Sequence, residues 1–194
     1  MTLSDWHVGW SGQARNICCA LLAAFALSWG AFAASAQELR FPEFKVEDLT
    51  KAKRNFPGDL PTDPTLVLFA FTRDQQEDVE AWKTGLALEA QDQLGWLEIP
   101  VLGRGARMAK GFINGGMRKG MPDETAQART MPYYGKTKTI TEPLGLPGTD
   151  QIYMVLARPT GQVLLILGGA PTEEKQAQLE QALEAAQGPA STAP

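Results

Sequence analysis

The chain has 194 residues with a formal net charge of −4, two cysteines and one histidine. Cys18, Cys19 and His7 all lie near the N-terminus, so the rest of the chain contains neither a thiol nor an imidazole. A domain that lacks this segment therefore has no Cys–His or Ser–His–Asp catalysis, no common zinc site and no disulfide. The mild acidic balance also argues against nucleic-acid binding, which needs a basic footprint.

The N-terminal segment has the three parts of a secretory signal peptide. Arg15 precedes an uncharged, mostly apolar run at residues 17–33, and a small-x-small sequence ends at Ala36. The run is shorter than the ~20 residues that span a bilayer comfortably. We therefore predict that residues 1–36 are a signal peptide, that cleavage follows Ala36 and that the mature protein is periplasmic. The alternative is an uncleaved anchor that holds the protein at the inner membrane through residues 17–34.

The next two segments are predicted to be a lead-in and a buried strand. Residues 37–64 are mixed in character and Pro-rich at their end, which favours a surface segment with one short helix near residues 46–54. Residues 65–71 (TLVLFAF) then form a continuous apolar run of strand-forming residues. This run begins the predicted domain, which extends over residues 65–187.

A helix and a second strand follow. Asp74 and Glu77 have the spacing of a capping box, which predicts a helix that begins there and reaches about Gln93. Its expected packing stripe consists of Val79, Trp82, Leu86 and Ala90. Residues 94–102 form the second strand candidate, and Pro100 predicts that this strand lies at an edge or ends early.

The middle of the chain is rich in glycine and poor in packing residues. Residues 103–120 contain six glycines and no acidic residue. We expect a poorly packed helix there, which Pro122 ends. Its apolar side chains are Met108, Phe112, Ile113 and Met117. Residues 131–147 are expected to form a loop that Tyr133 and Tyr134 anchor.

The C-terminal part predicts an antiparallel hairpin and a closing helix. Residues 152–158 and 162–167 are strand candidates, and a Pro-Thr-Gly sequence between them suits a tight turn. Thr172 is expected to cap the last helix. The packing stripe of that helix consists of Leu179, Ala182, Leu183 and Ala186. Residues 188–194 are small, polar and Pro-bearing, which predicts a disordered tail.

The order of these elements predicts the fold class. A βαβ half with parallel strands is followed, after a variable helical middle, by an antiparallel ββα half. This is the plan of a single thioredoxin-like α/β domain, with a mixed sheet of about four to five strands and flanking helices. Redox members of that fold carry a Cys-x-x-Cys pair at the start of the first helix. Here residues 71–76 (FTRDQQ) contain no cysteine, so dithiol chemistry is not expected.

Signals for other chemistry are weak. Gly103-x-Gly105 resembles the start of a dinucleotide fingerprint, but its third glycine is missing, so we predict no cofactor. No metal site is expected, because the usual Cys and His ligands are absent after the N-terminal segment. Carboxylates remain, and Asp74 or Asp150 in a pocket would suit a periplasmic enzyme or a small-ligand-binding protein.

Charge is unevenly distributed along the chain. Residues 74–98 carry seven acidic side chains and one lysine, whereas residues 99–141 carry eight basic and two acidic side chains. The simpler interpretation is two solvated surfaces of opposite sign. The sharper interpretation is a docking face for anionic lipid headgroups or an acidic partner, made adaptable by interleaved glycines and methionines. The candidate partner-binding residues are Arg104, Arg107, Lys110, Arg118, Lys119, Tyr133 and Tyr134.

A family resemblance extends over residues 65–186 in short pieces. They are residues 66–71 with Trp82 following, GMRKGMP at 116–122, YYG at 133–135, residues 152–156, RPTGQV at 158–163 and GGAPTEE at 168–174. In them the chain resembles the mitochondrial ATP synthase (Fo sector) assembly-chaperone family, which helps the proton-channel subunit a into the Fo sector. Proteobacterial relatives of that family have a thioredoxin-like fold without the redox pair. The resemblance implies a protein that acts by binding, and it transfers no catalytic residue.

The leading hypothesis is a non-enzymatic, membrane-associated assembly or chaperone-like module that docks through residues 104–138. Its partners would be membrane protein subunits, those of ATP synthase among them, or an anionic membrane surface. One alternative is the carboxylate-based enzyme or small-ligand-binding protein with Asp74 or Asp150 in its site. Another is a general holdase that binds clients through the apolar residues of the glycine-rich helix.

Overall fold

The computed structural model describes residues 39–90 and 94–187. The predicted signal peptide, the alternative anchor, Cys18, Cys19, His7 and the predicted tail at residues 188–194 lie outside the described residues. In chain order the strands and α-helices are β1 (Phe44–Glu47), β2 (Lys53–Phe56), β3 (Thr65–Ala70), α1 (Gln76–Gly85), β4 (Gly95–Pro100), α2 (Lys110–Gly120), α3 (Glu124–Arg129), α4 (Lys138–Thr141), β5 (Tyr153–Ala157), β6 (Val163–Gly168) and α5 (Glu173–Gln187). Two 3-10 helices, Arg73–Gln75 and Arg104–Ala109, precede α1 and α2.

Four strands form the central sheet in the order β4-β3-β5-β6. Strands β3 and β4 are parallel, with Val67 opposite Leu97, while β5 runs antiparallel to both β3 and β6. A parallel pair needs a crossover connection, and α1 lies in it. Strands β5 and β6 form the predicted hairpin, whose turn contains Gly161 at a φ of 86°, a conformation that favours glycine. This mixed sheet with flanking helices confirms the predicted fold class.

Hydrophobic clusters cover both faces of the sheet, because alternate residues of a strand point to opposite sides. On one face, Leu66 belongs to a cluster with Trp82 of α1 and Leu179 of α5. On the other face, Phe69 belongs to a cluster with Ile140 of α4 and with the β1–β2 hairpin. The sheet is therefore buried on both sides, as its continuous apolar run at β3 predicts.

The helix predicted near residues 46–54 is not formed, since β1 and β2 make an antiparallel hairpin there. Phe44 and Val46 are buried, whereas the residues that alternate with them are not, and this period of two belongs to a strand. The turn is held by Asp48, whose Oδ1 accepts hydrogen bonds from the N–H and the hydroxyl of Thr50 at 2.9 and 2.7 Å. A carboxylate that binds its own turn in this way competes with helix formation.

Aromatic side chains of the lead-in segment pack directly on the central sheet. The ring centroid of Phe41 lies 5.9 Å from that of Phe69. The ring of Phe44 lies 5.3 Å from Phe56 and 5.0 Å from Tyr133. The described part of the lead-in therefore belongs to the same hydrophobic core as the sheet.

The start of α1 is stabilised by a different residue from the predicted one. The sequence predicts a capping box of Asp74 and Glu77, but the side chain of Gln75 makes the hydrogen bonds at this helix start. Its Oε1 accepts the N–H of Phe71 at 2.7 Å, and its Nε2 donates to the carbonyl of Thr149 at 2.9 Å. Gln75 is buried, so it ties the helix start to both flanking loops.

Helix α1 is also shorter than predicted. It ends at Gly85 rather than near Gln93. Ala87 follows with a φ of 48°, which a continuing right-handed helix does not allow. The chain turns at this point, so that Leu88 is buried and Ala90 is exposed. The helix end near Gln93, predicted from the apolar spacing of Leu86 and Ala90, is therefore wrong.

Strand β4 ends at Pro100 at the edge of the sheet, as predicted, and residues 130–133 lie along its outer side. The N–H of Met131 donates to the carbonyl of Glu98 at 2.8 Å, and the N–H of Tyr133 donates to that of Pro100 at 2.8 Å. The predicted loop that follows is thus held against the sheet, and it contains the short helix α4.

The closing helix α5 agrees with its prediction. The hydroxyl of Thr172 accepts the N–H of Lys175 at 3.3 Å, which is the contact of a helix cap. Leu179 is buried, and Ala182 and Leu183 are half-buried against the same cluster. These contacts cover the sheet face that α1 leaves open.

Candidate functional site

The start of α1 follows the carboxyl end of β3, the position at which redox members of this fold carry cysteines. Thr72, Arg73, Asp74 and Gln75 occupy it here. Gln75 is committed to the main-chain hydrogen bonds described above, and Asp74 is exposed. Asp150 is exposed as well, so the structure encloses neither of the carboxylates that the enzyme hypothesis requires.

Residues 104–120, which we call the helical arm, carry the most exposed apolar side chains of the described structure. Met108 is 98% exposed and Phe112 is 88% exposed. Five glycines of the arm leave empty space where a Cβ would stand, with no atom within 4 Å apart from the neighbouring helix backbone: Gly105, Gly111, Gly115, Gly116 and Gly120. The outer face of the arm is therefore uncovered by any described residue. This confirms the predicted poor packing of the glycine-rich helix.

Polar contacts hold the inner face of the arm. The hydroxyl of Tyr134 donates to Oδ1 of the buried Asn114 at 2.6 Å. Lys110 Nζ lies 3.5 Å from Glu47 Oε1 on β1, and 5.9 Å from the ring centroid of Tyr134. Burial raises the pKa of the Tyr134 phenol, so that this hydroxyl remains a donor at neutral pH. These contacts fix the arm beside the β1–β2 hairpin.

A groove of about 610 Å³ lies between the β1–β2 hairpin and the helical arm. Its base is formed by Pro132, Tyr133 and Tyr134. The charged residues that line it are five cations and one carboxylate: Lys45, Lys53, Arg54, Arg107, Lys110 and Glu47. We call this feature the basic groove. It concentrates positive charge on a protein whose net charge is negative.

The ring of Tyr133 forms a fixed part of the groove. Tyr133 is only 8% exposed and packs edge-on against Phe44. The end of the ring lies against the backbone of Gly135, where a Cβ would collide with it. Glycine is therefore required at this position for close approach. The base of the groove is a rigid part of the core.

The structure brings together some of the predicted partner-binding residues and separates others. Arg107, Lys110, Tyr133 and Tyr134 line the basic groove. Arg104 and Lys119 are exposed on the arm outside the groove. Arg118 is half-buried, and its Nη1 donates to the carbonyl of Leu49 at 3.4 Å, so it connects the arm to the hairpin.

Three groove cations were not predicted from the sequence. Lys45, Lys53 and Arg54 belong to the β1–β2 hairpin, in a segment for which the sequence predicts only a lead-in before the domain. Lys45 lies between the buried Phe44 and Val46, a strand pattern that indicates an outward-facing side chain. Lys53, between the exposed Ala52 and the half-buried Arg54, has no such signal. No local pattern indicates that the outer face of the hairpin meets the helical arm, about 60 positions away in sequence.

A second cavity, of about 550 Å³, lies between α1, β4 and α3. Its charges are paired: Lys83 Nζ lies 3.0 Å from Glu80 and 3.1 Å from Glu89. The ring of Trp96 lies 5.5 Å from Lys83 Nζ and 5.1 Å from the guanidinium of Arg129. Burial disfavours the charge of Lys83, but the hydrogen bonds to Glu80 and Glu89 outweigh it and raise its pKa. These contacts stabilise the fold and leave little unpaired charge for a ligand.

Glu98 is a buried carboxyl beside this cavity, with 3% of its surface exposed. Burial raises its pKa, and the charge of Lys83 offsets this only in part. The nearby Glu80 adds to the rise, while a hydrogen bond from Gln76 opposes it.

Among the described residues no group of three or more Cys, His, Asp or Glu side chains could hold a metal ion.

Within residues 39–90 and 94–187 no helix combines the length and the apolar character that a membrane crossing requires. No protein-family model matches the chain, and no curated protein matches it.

Several solved structures resemble this one. A protein from Aquifex aeolicus VF5, whose name assigns it to electron transfer, has a TM-score of 0.55 at 8% identity, over 78% of this chain and 99% of its own. The C-terminal domain of a Bacteroides thetaiotaomicron protein, assigned as a thiol-disulfide oxidoreductase, has a TM-score of 0.51 at 12% identity, over 79% and 99%. BsSco, a member of the Sco family of cytochrome c oxidase assembly proteins, has a TM-score of 0.50 at 13% identity, over 79% and 96%.

Identities this low establish the fold and nothing finer. The chain has a thioredoxin-like fold, built without a cysteine at the start of its first helix.

Proposed function

We propose that this protein is a non-enzymatic binding module that is exported to the periplasmic side of the inner membrane and assists the assembly of membrane protein subunits. The helical arm is the binding element, and the membrane subunits of ATP synthase are the first clients to test. One observation carries the proposal: Met108 and Phe112 stand almost fully exposed on an arm that is otherwise basic.

Exposed apolar side chains in this arrangement favour an apolar partner. Single surface hydrophobics are common, but two large ones only four residues apart in the chain, each almost fully exposed and with glycines around them, favour an apolar contact. Methionine adapts to irregular surfaces, and the glycines allow a partner helix to approach closely. The flanking Arg104 and Lys119 favour a location near anionic headgroups.

The solved structures support the plausibility of an assembly role on this scaffold. BsSco belongs by its printed description to a family of assembly proteins for a membrane enzyme, cytochrome c oxidase. The present chain lacks cysteine after residue 19, so binding is the function that its described residues support best.

The test replaces Met108 and Phe112 by serine in the full-length protein and measures crosslinked capture of ATP synthase membrane subunits from native membranes. We expect capture to fall while the melting temperature stays nearly unchanged, because both side chains are exposed. Leu39→Ser is the matched control, since Leu39 is another exposed apolar residue and lies outside the arm. The mass of the purified protein, measured on the same sample, tests cleavage after Ala36.

Equal capture by the wild type and the arm variant would contradict the proposal. Suppression of aggregation of unrelated soluble proteins, lost in the same variant, would favour the general holdase instead. The exposure of Met108 and Phe112 suits both an assembly module and a general holdase. The two functions differ only in whether the protein binds particular membrane subunits or many unrelated proteins.

A further inference from the structure

The basic groove is suited to a ligand chemically different from the apolar partner proposed for the helical arm. We propose that it binds a ligand carrying two or more phosphate charges. This inference stands apart from the proposed function, because the groove lies on the inner side of the helical arm and Met108 and Phe112 do not line it.

The first argument is the excess of positive charge. Five cations from two walls face one carboxylate, that of Glu47. Lys110 already pairs with Glu47 at 3.5 Å. Lys45, Lys53 and Arg107 make no ion pair with any described residue, which leaves their charge available.

Arg54, the fifth cation, is engaged with Asp48 instead. Its Nη2 lies 3.9 Å from Asp48 Oδ2, which is too long for a hydrogen bond but within ion-pair distance. Arg54 Nε and Asp48 Oδ2 are both buried without a hydrogen-bond partner, so each offers what the other lacks. The charge available to a ligand is therefore that of Lys45, Lys53 and Arg107.

The shape of the groove suits a small ligand or a headgroup. A volume of about 610 Å³ lies within the range of small-molecule sites, roughly 300–1,000 Å³. Its base is pre-formed, because Tyr133 is locked against Gly135 and the Tyr134 hydroxyl is bonded to Asn114. Binding therefore needs little reorganisation of the base.

Phosphate fits the charge better than carboxylate does. A phosphomonoester carries about −1.5 to −2 charges and three acceptor oxygens, so two such groups match the net excess of the groove. Guanidinium groups bind phosphate oxygens with two parallel hydrogen bonds, and ammonium groups bind them as point charges. The source is either a soluble polyphosphorylated compound or a phospholipid headgroup that ends in a phosphomonoester, and the experiment below separates the two.

The experiment titrates the full-length protein with inorganic pyrophosphate, with orthophosphate and with citrate by calorimetry. In parallel it measures sedimentation with vesicles of phosphatidylcholine alone and of phosphatidylcholine mixed with an equal amount of phosphatidic acid, whose headgroup is a phosphomonoester. The groove variant is Lys45→Gln with Lys53→Gln, and both residues are exposed, so folding should be preserved. The control is Lys51→Gln with Arg73→Gln, which removes the same charge from exposed positions outside the groove.

We expect pyrophosphate to bind more tightly than orthophosphate or citrate. The groove variant should lose about tenfold in affinity, since each charge-assisted hydrogen bond is strong, and the control should change by less than about twofold. Binding of pyrophosphate without vesicle binding identifies a soluble ligand, and groove-dependent binding of the anionic vesicles identifies a headgroup. Arg107→Gln, on the opposite wall, should reproduce the loss.

Three results would overturn the proposal: no binding of pyrophosphate or anionic vesicles, equal losses in the groove and control variants, or citrate binding as tight as pyrophosphate. The variant with serine at positions 108 and 112 should keep its pyrophosphate affinity. Failure of client capture and failure of anion binding are therefore separate outcomes.

Discussion

At the scale of single residues, the buried Glu98 shows how one side chain couples stability to pH. It lies on β4 in the interior, where Lys83 and Gln76 are the groups that favour its charge. Burial is the larger effect, so the folded state holds the proton more tightly than the unfolded state does. Stability is then greatest below the unfolded pKa of the carboxyl and declines as pH rises through the higher folded pKa.

Glu98→Gln should remove this decline. We expect the variant to have a higher free energy of unfolding than the wild type at pH 7, because a neutral amide replaces a buried charge of similar shape. Urea unfolding at several pH values between 4 and 8 measures the effect. Glu142→Gln is the control, because the exposed Glu142–Lys138 pair should contribute no more than about 1 kcal/mol. A less stable Glu98→Gln variant at pH 7 would mean that the pairing with Lys83 outweighs burial.

At the scale of elements, the helical arm combines good local geometry with poor packing. Its glycines lower helix stability, and space is open at each of the five described above. The arm therefore keeps an open face at the expense of stability, which agrees with a binding role.

Gly115→Ala with Gly116→Ala should stabilise the protein. Each alanine lowers the entropy of the unfolded chain, and a gain of about 0.5–1 kcal/mol per site is expected. Thermal unfolding followed by circular dichroism provides the measurement. Gly135→Ala gives the opposite control, since its Cβ would collide with the ring of Tyr133 and stability should fall. A loss of stability in the arm variant would show that something covers this face.

At the scale of the whole molecule, the hairpin β1–β2 connects the core with the basic groove. Its inner side contributes Phe44 and Phe56 to the cluster on the sheet, and Phe41 precedes it in the same cluster. Its outer side contributes Lys45 and Lys53 to the groove. One short hairpin thus completes both the hydrophobic layer and the charged wall.

A chain that begins at residue 65, the domain start predicted from the sequence, should therefore not fold cooperatively. Removal of a buried phenylalanine costs about 3–5 kcal/mol, and three such losses reach the total stability of a typical domain, about 5–15 kcal/mol. A chain that begins at residue 37 should melt in one sharp transition. Thermal unfolding of the two chains, followed by circular dichroism, measures whether each unfolds in one cooperative transition. A sharp transition of the shorter chain at the same temperature would show that the hairpin is dispensable.

Much of the fold was predictable because its signals are local. The apolar run of β3, the turn at Gly161 and the cap at Thr172 each depend on a few consecutive residues. The poor packing of the glycine-rich helix is also predictable from composition, because such a helix has few side chains with which to pack. Which of its apolar side chains are exposed is not: Met108 and Phe112 are exposed, whereas Ile113 and Met117 are half-buried. The absence of cysteine at the start of α1 was decided by the sequence alone.

Tertiary structure decided the features that depend on distant residues. Gln75 stabilises the start of α1 because Thr149 lies beside it, and Glu98 is buried because α1 and the segment at residues 130–133 cover β4. The basic groove exists only where the hairpin meets the helical arm. Sequence patterns report local backbone preference and burial, whereas a binding groove depends on which surfaces meet after folding. The sequence by itself therefore determined the thioredoxin-like fold and its lack of cysteine at the start of α1. Tertiary packing determined that positive side chains meet in the basic groove.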